Sequence, residues 1–167
     1  LEELGFSCDV SYPMYFYPDN LLESILIFQK GKFDYRSIPK EIRENSKINI
    51  KEFSDKKMYM NLWEMTNVLP GAELEKNIAA FPDELPYRII NLFSYVGETI
   101  LDPFLGSGTT MKVARSLGRN SIGIEIKKSL LPIIKNKIGF GGQLLIENQD
   151  DTFEVIIREN VKYGSIS

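Results

Sequence analysis

Histidine is missing from this sequence, cysteine and tryptophan occur once each, and no long apolar run is present. Each gap closes off a class of function. Without histidine there is no Ser-His-Asp triad, no Cys-His pair and no paired-histidine zinc helix, and little acid–base chemistry near neutral pH. A single cysteine, Cys8, makes no intrachain disulfide and no cysteine zinc site, so no metal is expected. A membrane-spanning helix needs about 18 consecutive apolar residues. The longest apolar stretch, Leu21 to Phe28, is interrupted by Glu23. The opening Leu1-Glu-Glu-Leu-Gly5-Phe6 is acidic and lacks the basic start of a signal peptide. A soluble, cytoplasmic protein without a membrane partner is expected. Positive charge is not in excess either: the net charge is −3, which excludes a polycationic nucleic-acid coat but not a local basic patch.

What is present suits one domain. The 167 residues are 43% hydrophobic and 26% charged, enough apolar mass for a core on an ordinary globular surface. Chemistry must therefore rest on carboxylates, backbone groups, a cofactor or residues outside the chain. Residue 1 is Leu, and the first stretch reads as the end of a helix already under way, as in a piece of something larger.

The segment Tyr12-Pro13-Met14-Tyr15-Phe16-Tyr17-Pro18 is too proline-punctuated for a helix. Residues 22–29 suit a buried strand ending at Lys30-Gly31. Residues 29–57 hold nine Lys/Arg against five Asp/Glu, a local +4 with little apolar periodicity, and predict an extended or mobile loop. Trp63 is expected in the core rather than against a base, and residues 71–77 read as linker. Phe81-Pro82 then precedes Asp83-Glu-Leu-Pro86, which has the acid and proline of a helix start. Ile89, Ile90, Phe93 and Val96 follow at helical spacing until Gly97. Residues 99–102 predict a short buried strand, 103–108 a glycine-rich turn, and 109–117 a helix with Met111, Val113, Ala114 and Leu117 inward. Residues 121–126 predict a second strand, and 127–138 a helix burying Leu130, Leu131, Ile134 and Ile138. Residues 144–146 and 153–157 look like a terminal hairpin. The order over 98–138 is a βαβα unit, which predicts an α/β fold with a parallel sheet.

The block Asp102-Pro-Phe-Leu-Gly106-Ser-Gly108-Thr-Thr110 lies between the first strand of that unit and its helix. Its glycines permit a tight turn and close approach of a ligand to the backbone. The helix start offers unpaired N–H groups and the positive end of the dipole, which suit a carboxylate or phosphate. Thr109 or Thr110 can cap the helix or meet the ligand. Glu125 ends the next strand about 20 residues on, where a carboxylate typically accepts from two ribose hydroxyls. The site therefore wants a nucleoside bearing an anionic group. A dinucleotide fits poorly, because Met111 stands where the third glycine of GxGxxG belongs and Asp102 would repel a pyrophosphate. A nucleoside triphosphate fits poorly, because no lysine follows Gly108. S-adenosylmethionine fits better: Asp102 for its cationic end, Gly106 to Thr109 for its carboxylate, Glu125 for its ribose.

The same block resembles the cofactor motif of the DNA amino-methyltransferases, which modify the exocyclic amine of cytosine (N4) or adenine (N6). Ala80-Phe81-Pro82-Asp-Glu-Leu-Pro86 resembles the segment before this motif in the permuted, beta-class members, and Ser121-Ile-Gly-Ile-Glu125 resembles their ribose-binding strand. Residues 23–31 and Leu62-Trp63-Glu64 match more weakly, so the resemblance covers most of residues 20–138. It implies part of a Rossmann-like S-adenosylmethionine-dependent methyltransferase sheet with a target-recognition insertion. The implied cofactor residues are Phe81, Pro82, Asp102, Phe104, Gly106, Ser107, Gly108, Thr109 and Glu125. In the permuted order, residues 1–28 end the catalytic subregion, 29–77 form the target-recognition region, 78–138 the cofactor-binding βαβα region and 139–167 a C-terminal hairpin.

The sequence departs from that family at two places. A histidine common before the Phe-Pro is replaced by the stretch Glu75-Lys-Asn77-Ile78, and the catalytic Asp-Pro-Pro-Tyr or Ser-Pro-Pro-Tyr is absent. Ser11-Tyr-Pro13-Met-Tyr15 has the wrong spacing. No catalytic residue is assigned in this chain, and an upstream catalytic segment or separate subunit is expected to provide that tetrapeptide. The implied chemistry needs no histidine: a base flipped from double-stranded DNA presents its amine, and positioning and electrostatics supply most of the rate.

For the DNA, Lys32, Arg36, Lys40 and Arg43 are assigned to phosphates, with an ordinary charged loop as the bland alternative. Lys127, Lys128, Lys135 and Lys137 read as a solvated helix face. The leading expectation is the cofactor-binding, DNA-recognising part of a restriction–modification methyltransferase, with N4-cytosine slightly favoured over N6-adenine. The alternatives are a non-catalytic S-adenosylmethionine- or nucleotide-binding regulatory module, and a methyltransferase of RNA or small molecules.

Overall fold

The computed structural model describes residues 24–65, 81–140 and 151–158. The aromatic segment at 12–18, the linker at 71–77 and the strand expected at 144–146 lie outside the described residues. The chain divides into two compact units, Leu1–Ser37 and Ile38–Ser167.

In the first unit, residues 24–33 form no strand, contrary to the expectation for 22–29. Leu26 and Phe28 are exposed. An apolar run becomes a strand only when a neighbour takes up its N–H and C=O groups, and no strand among the described residues does so. A 3₁₀ turn, Tyr35–Ser37, is set by Asp34, whose Oδ1 accepts from the Arg36 N–H at 2.9 Å.

In the second unit the basic stretch is helical, not loop-like. Helix α1 spans Lys40–Asn45 and α2 spans Ile50–Asp55. Asn49 caps α2, its side chain accepting from the Glu52 N–H at 3.1 Å. Lys57 ends α2 in the left-handed region (φ 50°), and Met58 behind it is buried and donates its N–H to the Phe53 carbonyl. Short helices with most of their apolar groups exposed leave no strong period in the sequence, which is why they read as loop.

Helix α3 runs Glu84–Phe93, buries Pro86, Arg88 and Ile90, and stops at Ser94 with extended backbone. Val96 is thus outside the helix, and Phe93 is exposed rather than inward. Strand β1 is Thr99–Asp102, α4 is Thr109–Ser116 and β2 is Asn120–Gly123. The strands pair in parallel, Thr99 with Asn120 through Asp102 with Gly123. Helix α5, Leu131–Lys137, follows a 3₁₀ turn at Lys128–Leu130. The parallel sheet with its helical crossover is the α/β arrangement expected.

Among the described residues, two clusters form the core of this unit. Ile90 of α3 packs with Val113 and Ala114 of α4, and Ile100 of β1 lies against them. Leu105 of the loop packs with Leu130, Ile134 and Ile138 of the α5 region. The sheet is half-exposed rather than buried: Ile100 faces α4, while its neighbour Leu101 and its partner Ile122 point away and are 59% and 55% exposed. Residues 153–157 form no hairpin strand. Instead Phe153 stacks on Phe140 at 5.4 Å and Asp151 pairs with Arg115 at 2.9 Å. Among the described residues, no helix is long and apolar enough to cross a membrane, and no cluster of His, Cys, Asp or Glu could hold a metal ion.

Candidate functional site

Parallel strands leave their ligand-facing loops at the carboxyl ends, and here the two loops are zipped together. The Ile124 N–H donates to the Asp102 carbonyl and the Leu105 N–H to the Ile124 carbonyl, both at 2.9 Å. Asp102 Oδ1 accepts from the Phe104 N–H at 3.0 Å, closing an Asx turn that starts the glycine-rich loop. Glu125 lies two residues beyond β2, not on the strand as expected. The ladder ends at Gly123 because the backbone turns away to meet Leu105. From there Glu125 ties the loops: Oε2 accepts from the Gly106 N–H at 2.9 Å and Oε1 from the Lys127 N–H at 2.8 Å. A carboxylate has about four lone-pair sites, so two remain for other donors. On the same two loops, Phe104 and Ile126 are each 89% exposed.

The glycine-rich loop opens directly into α4. Gly108 is the N-cap with φ 94°, a left-handed conformation that a side chain would strain. A Cβ there would also meet Ile134 Cγ2 at 3.4 Å, so α5 closes over the back of the loop. Ser107 and Thr109 are buried on either side of it. No side chain caps α4, so the first N–H groups of the helix stand available at the loop. Lys137, expected on a solvated face, instead reaches the Ser107 hydroxyl with its ammonium at 2.6 Å. The signal was present, since Lys137 stands three residues after Ile134 on the inward face of α5, but helical spacing alone does not reveal a partner 30 residues away.

Phe81 and Pro82 stand just before α3. Asp83, next in the chain, pairs with Lys112 of α4, which brings the start of α3 to the same helix that the loop opens. Phe81 is 37% exposed. Behind it an ionic network joins α2 to α3. Lys56 Nζ lies 2.7 Å from Glu84 Oε2, and Arg88 Nε lies 2.8 Å from Glu84 Oε1. The Tyr87 hydroxyl donates to Glu52 Oε1 at 2.7 Å. Burial alone would raise the Glu84 carboxyl, but the hydrogen bonds from Lys56 and Arg88 outweigh it and hold it below the usual range. Burial, then the Glu52 carboxylate, pushes the Tyr87 phenol up to about 12. Trp63 is half-buried, with the Arg88 guanidinium 5.1 Å from its ring centre, nearer the expected packing role than a base platform.

The four expected DNA contacts divide between the units. Lys32 and Arg36 are exposed in the first; Lys40 opens α1 in the second, and Arg43, on the same helix, is half-buried. By contrast the residues expected to hold the cofactor, Asp102, Phe104, Gly106, Ser107, Gly108, Thr109 and Glu125, lie together at the end of β1, on the two zipped loops and at the start of α4.

A parallel βαβ unit whose crossover loop is clasped by a carboxylate from the second strand's end defines a Rossmann-like ligand-binding protein. Comparison with known proteins narrows the class. A model of the DNA methylase family that acts at N6 or N4 matches residues 7–136. The chain belongs to that family. It is 46% identical over 119 residues to the type II methyltransferase M.MjaI of Methanocaldococcus jannaschii, covering 71% of this chain and 39% of that protein. It is 36% identical over 153 residues to the type II methyltransferase M.MthZI of Methanothermobacter thermautotrophicus, covering 86% and 42%. The fold matches a candidate DNA modification methylase of Thermus thermophilus solved with S-adenosyl-L-methionine. There the TM-score is 0.52 and the identity 26%, over 75% of this chain and 49% of the other. The chain thus spans about two fifths of the length of the curated relatives it matches.

Proposed function

We propose that this chain is the cofactor-binding and DNA-recognising part of a site-specific DNA methyltransferase of a restriction–modification system. The observation that carries the reading is the Glu125 clasp. A carboxylate fixed by two backbone N–H groups ties the glycine-rich loop that starts α4 to the end of the second strand. That donor and acceptor set fits S-adenosylmethionine. Glu125 has lone pairs left for ribose hydroxyls, Asp102 offers a carboxylate to the cationic end, and the loop around Ser107 to Thr109 offers N–H groups to the carboxylate. Phe104 and the Phe81-Pro82 pair give the adenine an apolar wall. When bound, the cofactor supplies an electrophilic methyl group. The chain's own residues orient it and exclude water from one side.

On this reading residues 29–77 recognise the target, with Lys32, Arg36, Lys40 and Arg43 on phosphates, and residues 78–138 bind the cofactor. Residues 1–28 end the catalytic subregion and 139–167 close the unit. The substrate is an exocyclic amine of a base flipped from duplex DNA, N4 of cytosine being favoured slightly over N6 of adenine. The Asp-Pro-Pro-Tyr or Ser-Pro-Pro-Tyr tetrapeptide that would grip that amine comes from polypeptide beyond these residues, a reading supported by the greater length of M.MjaI and M.MthZI. Equilibrium binding of labelled S-adenosylmethionine tests the cofactor assignment. Saturable binding lost on Asp102→Ala and on Glu125→Ala, with the fold intact, supports it. Full affinity in both variants overturns it.

A further inference from the structure

Strands β1 and β2 are covered on one face and bare on the other. Ile100 of β1 lies against Val113 and Ala114 of α4, and a Cβ on Gly123 of β2 would meet Leu105 and Met111. Those residues mark the helix side. Side chains alternate along a strand, so Leu101 and its partner Ile122 turn the other way, 59% and 55% exposed. Ile124 continues the row: its N–H still bonds the Asp102 carbonyl at 2.9 Å, and its side chain is 56% exposed. Thr99 and its partner Asn120 stand one step back on the same side, also exposed. None of these residues is charged.

Antiparallel sheets tolerate one wet face, and their solvated positions are polar. Parallel sheets carry apolar residues on both faces and are covered on both. Here the outward positions are Leu and Ile, as in a sheet covered on both sides, yet α4 packs on the Ile100 side alone. Neither strand has a second neighbour among the described residues, and two strands are too few to hold a sheet in water without packing. A row of exposed aliphatic side chains with no charge among them marks a contact surface. A narrow aliphatic row along parallel strands suits the apolar stripe of a helix. The chain spans 39% of M.MjaI and 42% of M.MthZI, so more than half of each relative has no counterpart in it.

We propose that this bare face is the docking surface for the polypeptide that carries the catalytic tetrapeptide, which lays the apolar stripe of a helix along Leu101, Ile122 and Ile124. This rests on the reading above that such polypeptide lies beyond these residues, and adds where it binds. Docking here brings the partner to the carboxyl ends of the strands, one residue from Asp102.

Leu101→Lys and Ile122→Lys, singly and together, test the face in the complete chain and in a complex. Alone, the variants are expected to melt within about 3 °C of wild type, because the substituted side chains stay in water. Sedimentation of wild type and double variant should match, with no self-association through this face. Co-expressed with the M.MjaI polypeptide outside the matched stretch, the wild-type chain should co-purify with it. The double variant should weaken that complex more than about tenfold, because docking would bury two unpaired ammonium groups. A larger drop in melting temperature would show that the chain's own residues already cover the face. Self-association abolished by the double substitution would give the face to a second copy. No complex with wild type, or a complex that survives the double substitution, would place the partner elsewhere. Each of these results overturns the proposal and leaves the cofactor reading standing. Failure of the folded wild-type chain to bind labelled S-adenosylmethionine overturns the cofactor reading instead, since the docking is read by co-purification.

Discussion

At the scale of single residues, Glu125 does two jobs on the proposed reading. Its carboxylate holds the Gly106 and Lys127 N–H groups, and its remaining lone pairs would accept from the ribose, so its removal opens the clasp as well as deleting that acceptor. Glu125→Gln is the sharper probe. An amide keeps the shape but presents an NH₂ to one of two N–H donors, leaving one of them orphaned at a cost of about 1–3 kcal/mol. We expect cofactor affinity to fall at least tenfold in Glu125→Gln by equilibrium binding, with the melting temperature lowered by several degrees. Tyr87 gives a second residue-scale test. Its phenol is raised to about 12 against an ordinary 10, so the folded state favours the neutral form. That stabilisation is complete below pH 10 and is lost as pH climbs toward 12. Lys56 is raised by its hydrogen bond to Glu84 and loses its share in the same direction. Unfolding midpoints measured between pH 8 and about 11 should therefore decline, and the decline should be shallower in Tyr87→Phe.

At the scale of elements, the glycine-rich loop and the crossover were legible because their signals are local. Gly106, Gly108 and the threonines after them mark a turn and a helix start whatever surrounds them, and α4 and β1 fall where the pattern put them. Burial was not local. The sequence Thr-Ile-Leu-Asp reads as a buried strand, yet only the Ile100 side is covered. Leu101→Ala should therefore cost under about 1 kcal/mol in urea unfolding, while Ile134→Ala, in the loop cluster, should cost about 2–5. Gly123 belongs to the same argument. A Cβ there would lie 2.5 Å from Leu105 Cδ2 and 2.8 Å from Met111 Sδ, both flexible side-chain ends. Gly123→Ala should cost about 1–3 kcal/mol through repacking rather than unfold the chain. The basic stretch went the other way. Asn49 with Glu52 three residues on is a capping signal that was readable, but six-residue helices with few buried groups give no periodicity to support it.

At the scale of the whole molecule, membership of the DNA methylase family and a span of about two fifths of M.MjaI and M.MthZI set what the chain can be asked to do. On the proposed reading, it binds S-adenosylmethionine but transfers methyl groups to DNA only when joined to polypeptide carrying the Pro-Pro-Tyr motif. Mixing the chain with the remaining part of a relative and assaying methyl incorporation into duplex DNA checks this; efficient transfer by the chain alone would count against it. Reversing charge at Lys32, Arg36 and Lys40 together should weaken duplex binding several-fold, more so at low salt, without touching cofactor affinity.

The division between what these residues determine alone and what their folding decides follows contact distance. Turns, helix starts and the order of the βαβα unit depend on neighbours along the chain, through backbone sterics and hydrogen bonds a few residues long, so the sequence by itself determined them and, with the motif, the family. The second role of Glu125, the place of Lys137 and the bare side of the sheet depend on groups 19 or more residues away. Only the tertiary structure brings those groups within hydrogen-bond reach, because nothing in a residue's own identity says which distant donor, acceptor or apolar surface will meet it.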